Sequence, residues 1–197
     1  MPRAGLTRDR VVEEAAEMVE AVGWDQLTLA GLATRLGIKQ PSLYKHIDSI
    51  GELRRNISLR AVRELSAVLA HAAVGRSGAD AIRAMSRAYR TWVLGHPALY
   101  AASQSMPTAG DAEHEAAMLA GVQNIADVLT AYELEGDDAI DAIRAFRSSL
   151  HGFVTFESQG QFAIAADIDR SFERMVDGFI VALTSWTDAN AEARTHR

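Results

Sequence analysis

The stretch of residues 28–47, TLAGLATRLGIKQPSLYKHI, restricts the possible folds of this chain more than any other part. Thr28 is a typical helix N-cap, Gly37 is placed to end the helix that follows, and Pro41 is suited to the first position of another helix. The apolar residues between them recur at helical spacing: Leu29, Leu32, Ala33, Leu36, Ile38 and Leu43. Two short helices joined by a tight glycine turn are typical of a helix-turn-helix.

Charge is distributed unevenly along the chain. The net charge is -6, which by itself argues against a polyanionic partner. Residues 1–60, however, hold nine Lys or Arg against eight Asp or Glu, and the acidic excess lies in the rest of the chain. The stretch from residue 28 to residue 47 has no acidic side chain and contains Arg35, Lys39, Lys45 and His46. The positive charge is therefore local to the predicted helix-turn-helix.

The outward face of the second short helix has the chemistry of a DNA-reading surface. Gln40 can pair with adenine and Lys39 with guanine acceptors, Ser42 tolerates either, and three neighbours suit phosphate: Tyr44, Lys45 and His46. Backbone N–H groups at the helix starts, by Thr28 and Gln40, add phosphate donors, and Pro41 is included among the residues expected at the DNA. The alternative is an ordinary pair of amphipathic helices in which Tyr44 belongs to the core.

Residues 7–60 resemble the TetR family of transcriptional regulators. The resemblance rests on the stretch 28–47, on Leu43-Tyr44-x-His46 directly after the turn, and on Gly51-Glu-Leu. It implies a DNA-binding head, a helical body that forms a homodimer, and often a small-molecule pocket. The family commonly has an aromatic residue where Ile47 stands and a lysine where Ile50 stands, so we do not expect the phosphate contact of that lysine here.

Helical patterns continue through the rest of the chain and predict an all-α fold of about nine helices. Thr7 caps the first helix and Gly23 ends it, while Ser49 and Glu52 open a long helix that reaches about Ala73. We assign residues 1–52 to the helix-turn-helix domain, residues 53–189 to a helical ligand-binding and dimerisation domain, and residues 190–197 to a flexible tail.

The two most apolar helices, at about residues 137–158 and 169–187, each have an apolar stripe. If both stripes meet their copies in a second chain, they form a four-helix dimer interface. The alternative is packing within one chain. The residues expected at the interface are Leu150, Phe153, Val154, Phe172, Val176, Phe179, Ile180 and Leu183.

The body also offers aromatic and apolar residues for a ligand pocket, expected to take a small apolar or aromatic molecule. These are Tyr89, Trp92, His96, Tyr100, Met106, Met118, Phe146 and Phe156, with ordinary core as the alternative for most of them. The segment from Leu150-His-Gly-Phe to Asp169-x-Ser-Phe172 resembles a TetR-family C-terminal domain named for a Trp-His-Gly motif. Leu150 replaces the tryptophan of that motif, and His151 is expected to be structural.

Several classes of protein find no support in the sequence. The chain has no cysteine, hence no disulfide or thiolate metal site, and it has no membrane-spanning run or signal peptide, which favours the cytoplasm. No nucleophile elbow, phosphate-binding loop, His-Glu-x-x-His or Glu-x-x-His occurs, so we expect no enzyme, metal or cofactor. The remaining hypotheses are a DNA-binding repressor released by a ligand and a helical binding protein of the same fold without DNA binding.

Overall fold

A computed structural model describes residues 6–195, with side chains described up to Trp186. Every regular element in this part of the chain is helical, which confirms the all-α prediction. The α-helices are α1 (Arg8–Val22), α2 (Leu29–Leu36), α3 (Ile50–Ala73), α4 (Gly78–Gly95), α5 (Pro97–Ser103), α6 (Ala112–Leu129), α7 (Gly136–Ser158) and α8 (Ile168–Thr195). The 3₁₀ helices are Trp24–Gln26, Gln40–Lys45 and Thr130–Tyr132.

The predicted helix caps in the first part of the chain are confirmed. The Thr7 hydroxyl accepts a hydrogen bond from the Arg10 N–H at 3.2 Å, and the Thr28 hydroxyl accepts one from the Gly31 N–H at 3.1 Å. Gly37 ends α2 in the left-handed conformation, with φ 66° and ψ 31°. At the start of α3 the Glu52 N–H donates to Ser49 Oγ at 3.0 Å. Helices α1, α2 and α3 therefore begin or end where a short polar side chain or a glycine satisfies their terminal groups.

The chain divides into two compact units. The first comprises the residues up to Glu64 together with His96–Ala117. In it α1 packs against α2 and α5, and α2 packs against the 3₁₀ helix Gln40–Lys45. The core of this unit includes Val11, Val19, Leu32, Leu43, Leu53 and Ile57, all fully buried.

The second unit comprises Leu65–Gly95 and the residues from Met118 onward. Here α4 packs against both α7 and α8, and α7 packs against α8. Phe146 and Phe179 stack with ring centroids 5.3 Å apart, and Phe153 meets Phe172 edge to face at the same distance. Arg90 donates to Glu157 and Asp169 and lies 4.9 Å from the Phe172 ring centroid, so it joins the three helices.

The domain boundary placed at residue 52 lies inside α3, which runs unbroken from Ile50 to Ala73. The first unit also includes α5 and the start of α6, although these lie more than thirty residues after Glu64 in the sequence. The boundary between head and body stays a prediction. Helix α8 continues to Thr195, into the expected tail, of which residues 196–197 lie outside the described part. Among the described residues, no helix is both long and apolar enough to span a bilayer.

Candidate nucleic-acid interface

The helix-turn-helix is held together by a small apolar seam. Leu32 and Ala33 of α2 are buried, and Leu43 and Ile47 lie on the other side of the turn with almost no exposed surface. The Ile38 N–H donates to the Ala33 carbonyl and the Ile47 N–H to the Leu43 carbonyl, at 3.0 and 3.1 Å. These contacts fix the orientation of the 3₁₀ helix, and with it the side chains that point away from the seam.

The second helix of the motif is a 3₁₀ helix of six residues, Gln40–Lys45, and not a longer α-helix. Pro41 occupies its first turn as predicted, while the Ser42 N–H bonds to the Lys39 carbonyl at 2.8 Å, the tighter i to i+3 pattern. His46 ends it outside helical backbone geometry, and Ile47 returns to the core. The reading surface therefore comprises about two turns of chain.

The residues expected to contact DNA lie at the surface in one short segment. Lys39, Gln40, Pro41, Tyr44 and Lys45 are exposed, and Ser42 and His46 are half-buried. The Tyr44 side chain is 52% exposed, so it is not part of the core. Thr28 is exposed as well, but its hydroxyl is engaged as the cap of α2.

The cationic side chains of residues 28–47 differ in whether they form ion pairs. Neither Lys39 nor Lys45 forms an ion pair with any residue that the structure describes. Arg35, in contrast, donates to Glu14 at 3.0 Å and to Glu17 at 2.6 Å, and the hydrogen bond with Glu14 and then that with Glu17 raise its pKa. Arg35 thus fastens α2 to α1, and the two lysines remain free to meet an anion.

The apolar residues at the two atypical positions also have defined places. Ile47 is buried in the seam, and Ile50 is half-buried at the start of α3. One turn further along α3, the Arg54 guanidinium lies 5.1 Å from the centroid of the Trp24 ring. Sequence reasoning missed this contact because thirty residues separate the two, and no local spacing pattern connects them.

The expected pocket residues fall in both units of the chain. In the second unit Tyr89, Trp92 and Phe146 are buried, Met118 is half-buried and Phe156 is 50% exposed. In the first, Tyr100 is buried, His96 is exposed and Met106 is 79% exposed. That these residues line one ligand pocket stays a prediction.

The expected dimer residues are largely covered by the chain itself. Six are buried: Leu150, Val154, Phe172, Val176, Ile180 and Leu183. Phe153 and Phe179 are half-buried, and both make ring contacts within the second unit. The stripes therefore pack within one chain, and their part in a dimer interface stays a prediction. On the outward side of α8, Val181 is 66% exposed.

Comparison with known proteins agrees with this geometry. Residues 82–179 match a family model described as tetracyclin repressor-like, C-terminal domain. An uncharacterized HTH-type transcriptional regulator of Mycobacterium tuberculosis, Rv0681, is 40% identical over 167 residues, 84% of this chain and 75% of that protein. The uncharacterized HTH-type transcriptional regulator YobS of Bacillus subtilis is 28% identical over 182 residues, 92% of this chain and 95% of that protein.

Among solved structures, a protein with unknown function from Rhodococcus sp. RHA1 aligns with a TM-score of 0.80 at 22% identity, over 93% of this chain and 98% of that one. An outward-facing helix-turn-helix and relatives named as HTH-type regulators define a DNA-binding transcriptional regulator. Within that class, the chain belongs to the TetR family. The Trp-His-Gly designation of its C-terminal part stays a prediction.

Proposed function

We propose that this regulator is a cytoplasmic repressor that binds a near-palindromic operator as a homodimer and leaves it when a small apolar or aromatic ligand occupies the body. The observation that carries DNA recognition is the segment 39–46. It presents outward, from a turn held by buried Leu43, two lysines that pair with no described residue and four polar side chains, Gln40, Ser42, Tyr44 and His46. No acidic residue interrupts this surface.

Within the segment the roles divide by chemistry. Lys39, Gln40 and Ser42 lie at the start of the 3₁₀ helix and are assigned to base edges, because amide and ammonium groups read the major groove. Tyr44, Lys45 and His46 lie at its end and are assigned to phosphates. Phosphate contacts fix the register, and base contacts supply sequence preference.

The dimer follows from the need for two heads. A single 3₁₀ helix of six residues reaches few base pairs, and a two-fold dimer doubles the contact area. Two reading elements separated by about 34–36 Å, or a multiple, reach successive major grooves on one face of DNA. We assign the interface to α7 and α8, the two helices with apolar stripes. On α8, Val181 is exposed and lies outside the core of the single chain.

The tetracycline-repressor likeness of residues 82–179 supports a repressor with a ligand site in the body. Buried Tyr89, Trp92 and Phe146 supply aromatic surface in the second unit. Ligand binding there lowers operator affinity if the ligand binds more tightly to a conformation in which the distance between the two DNA-binding heads does not match the operator.

A mobility-shift assay on DNA upstream of the protein's own gene tests DNA recognition. We expect binding that weakens as salt rises, because lysine contacts release counterions from phosphate. The double variant Lys39→Ala/Lys45→Ala should lose it. Arg144→Ala, which removes an exposed charge on α7, is the matched control and should bind normally. Absence of salt-sensitive binding by the wild-type protein would contradict the proposal and favour a binding protein of the same fold.

A further inference from the structure

Arg54 differs from the other arginines of α3 because no carboxylate pairs with it in the part of the chain that the structure describes. The three arginines that follow it on the helix each donate to a carboxylate: Arg55 to Asp111, Arg60 to Glu64 and Arg63 to Glu113. The Arg54 side chain instead contacts the ring of Trp24. Its positive charge is therefore not neutralised by any described residue.

The Trp24 ring supports the Arg54 guanidinium from one face. The guanidinium carbon lies over the ring, 5.1 Å from its centroid, and both side chains are half-buried. Stacking uses the face of the planar guanidinium, so the N–H donors in its plane stay available to an acceptor. Trp24 belongs to a 3₁₀ helix that packs against both α1 and α5, which fixes the position of the ring.

Arg54 lies at the end of α3 that adjoins the proposed DNA-reading segment. It is one turn, about 6 Å, along the helix from Ile50, and a helical side chain points back towards the N-terminus of its helix. The segment 39–46 ends four residues before Ile50. Trp24 in turn precedes Thr28, the cap of α2, by four residues. The guanidinium is thus held near the starts of both α2 and α3.

We propose that Arg54 binds a DNA phosphate and that Trp24 positions it for this contact. The proposal rests on the proposed DNA-binding function and extends the binding surface beyond the segment 39–46. Ile50 has no charge to offer a phosphate, and Arg54 supplies one a turn later on the same helix. A phosphate group matches the in-plane donors of a guanidinium, and such a contact carries no base information. Arg54 therefore strengthens binding to every DNA sequence equally.

Fluorescence anisotropy at several salt concentrations tests this contact with the full chain. The probes are DNA from upstream of the protein's own gene and a duplex of the same length with scrambled sequence. Arg54→Gln should weaken binding to both probes about fivefold near physiological salt and reduce the salt slope by about 1. Arg54→Lys, which keeps the charge, should keep the slope.

Arg63→Gln is the matched control for that experiment. It makes the same substitution on the same helix, but about 20 Å from Ile50 along the helix axis. This distance exceeds the screening length of physiological salt, which is about 8 Å. Arg63→Gln should therefore keep the affinity and the salt slope of the wild-type protein.

A double-mutant cycle tests the positioning role of Trp24. Trp24→Leu should weaken DNA binding about threefold, whereas Trp24→Phe, which keeps an aromatic ring, should stay within about twofold of wild type. In the Arg54→Gln background, Trp24→Leu should cause no further loss, because the ring acts through the guanidinium. A further loss of the same size in that background would show that Trp24 does not act through Arg54.

Three results would overturn the phosphate contact while leaving the operator proposal intact. They are wild-type affinity and slope in Arg54→Gln, equal losses in Arg54→Gln and Arg63→Gln, and a loss confined to the upstream probe, which would assign Arg54 to a base edge. Absence of salt-sensitive binding by the wild-type protein would contradict both proposals. Circular dichroism checks folding, and Arg54→Met, which keeps an unbranched stem over the ring, gives the same test if Arg54→Gln fails to fold.

Discussion

Arg55 and Asp111 form a two-pronged ion pair that joins α3 to the turn before α6. Arg55 Nε donates to Oδ2 at 2.6 Å and Nη2 donates to Oδ1 at 2.5 Å. The same carboxylate accepts the His114 N–H at 3.2 Å, and His114 Nε2 lies 3.2 Å from Ser58 Oγ. Residues 96–117 are thereby fastened to the N-terminal unit.

This ion pair predicts a specific acid sensitivity. The Arg55 hydrogen bonds lower the pKa of Asp111 to about 2, from an ordinary 3.8. Between these values the unfolded chain binds a proton that the folded chain does not, so stability falls as pH falls. Asp111→Asn should reduce the free energy of unfolding near neutral pH, and its difference from wild type should shrink from about pH 4 towards pH 2. Urea unfolding across this range measures both.

Asp141→Asn is the matched control for that experiment. Asp141 is an exposed carboxylate that meets Arg144 at 3.4 Å, and such surface pairs contribute little to stability. Its unfolding free energy should follow wild type at every pH. If the Asp111→Asn difference is the same at about pH 2.5 as at pH 7, the ion pair is not the source of the acid sensitivity.

Leu43 and Tyr44 are neighbours with opposite roles. Leu43 is fully buried in the seam, so Leu43→Ala should cost about 2–5 kcal/mol of unfolding free energy. Tyr44 is half exposed, so Tyr44→Ala should stay within about 0.5 kcal/mol of wild type and yet bind operator more weakly. Chemical denaturation and a binding titration separate the two effects. Loss of stability in Tyr44→Ala would assign it to the core.

Gln40 and Lys45 should differ in what they contribute to DNA binding. Gln40→Ala should remove about 1–3 kcal/mol of discrimination at one operator position, because a base contact is lost. Lys45→Ala should weaken binding to all sequences and reduce the salt slope by about 1. Fluorescence anisotropy with single-base operator variants at several salt concentrations measures both. Unchanged discrimination in Gln40→Ala at every position would show that another residue reads the base.

A side chain at Gly37 should destabilise the protein through backbone conformation alone. Its φ is +66° and no atom lies within 4 Å of an added Cβ, so Gly37→Ala meets backbone strain without a clash. We expect a loss of about 1–2 kcal/mol in unfolding free energy. Gly51→Ala is the control, since Gly51 opens α3 and a Cβ there meets only Ser49 Oγ at 3.6 Å. Equal losses in both variants would contradict the left-handed requirement.

The sequence predicts those parts of the fold that depend on local chemistry. Thr7, Thr28 and Gly37 act where expected because a cap or a left-handed turn involves only residues a few positions away. The outward placement of Lys39, Gln40 and Lys45 follows from the same short-range pattern. The 3₁₀ form of residues 40–45 was not foreseen, since α and 3₁₀ turns share nearly the same spacing signal.

The parts that the sequence left open depend on distant pairs. Nothing local indicates that Arg55 meets Asp111, that Arg54 covers Trp24, or that Leu99 N–H donates to Glu20 at 3.1 Å. An apolar stripe such as that of α8 is equally compatible with packing in one chain or between two. Helical periodicity shows which face of the helix is apolar, but not which element packs against that face. Phe172 and Leu183 are buried, which shows that the single chain already covers them.

Nuclease footprinting on the upstream fragment tests the central claim most directly. The account predicts a protected, near-palindromic region whose half-site centres are separated by about 10 base pairs or a multiple, matching two heads on one DNA face. Protection should disappear with Lys39→Ala/Lys45→Ala and persist with Arg144→Ala. The absence of any footprint with wild-type protein at low salt, or a footprint that the lysine variant keeps, would contradict it.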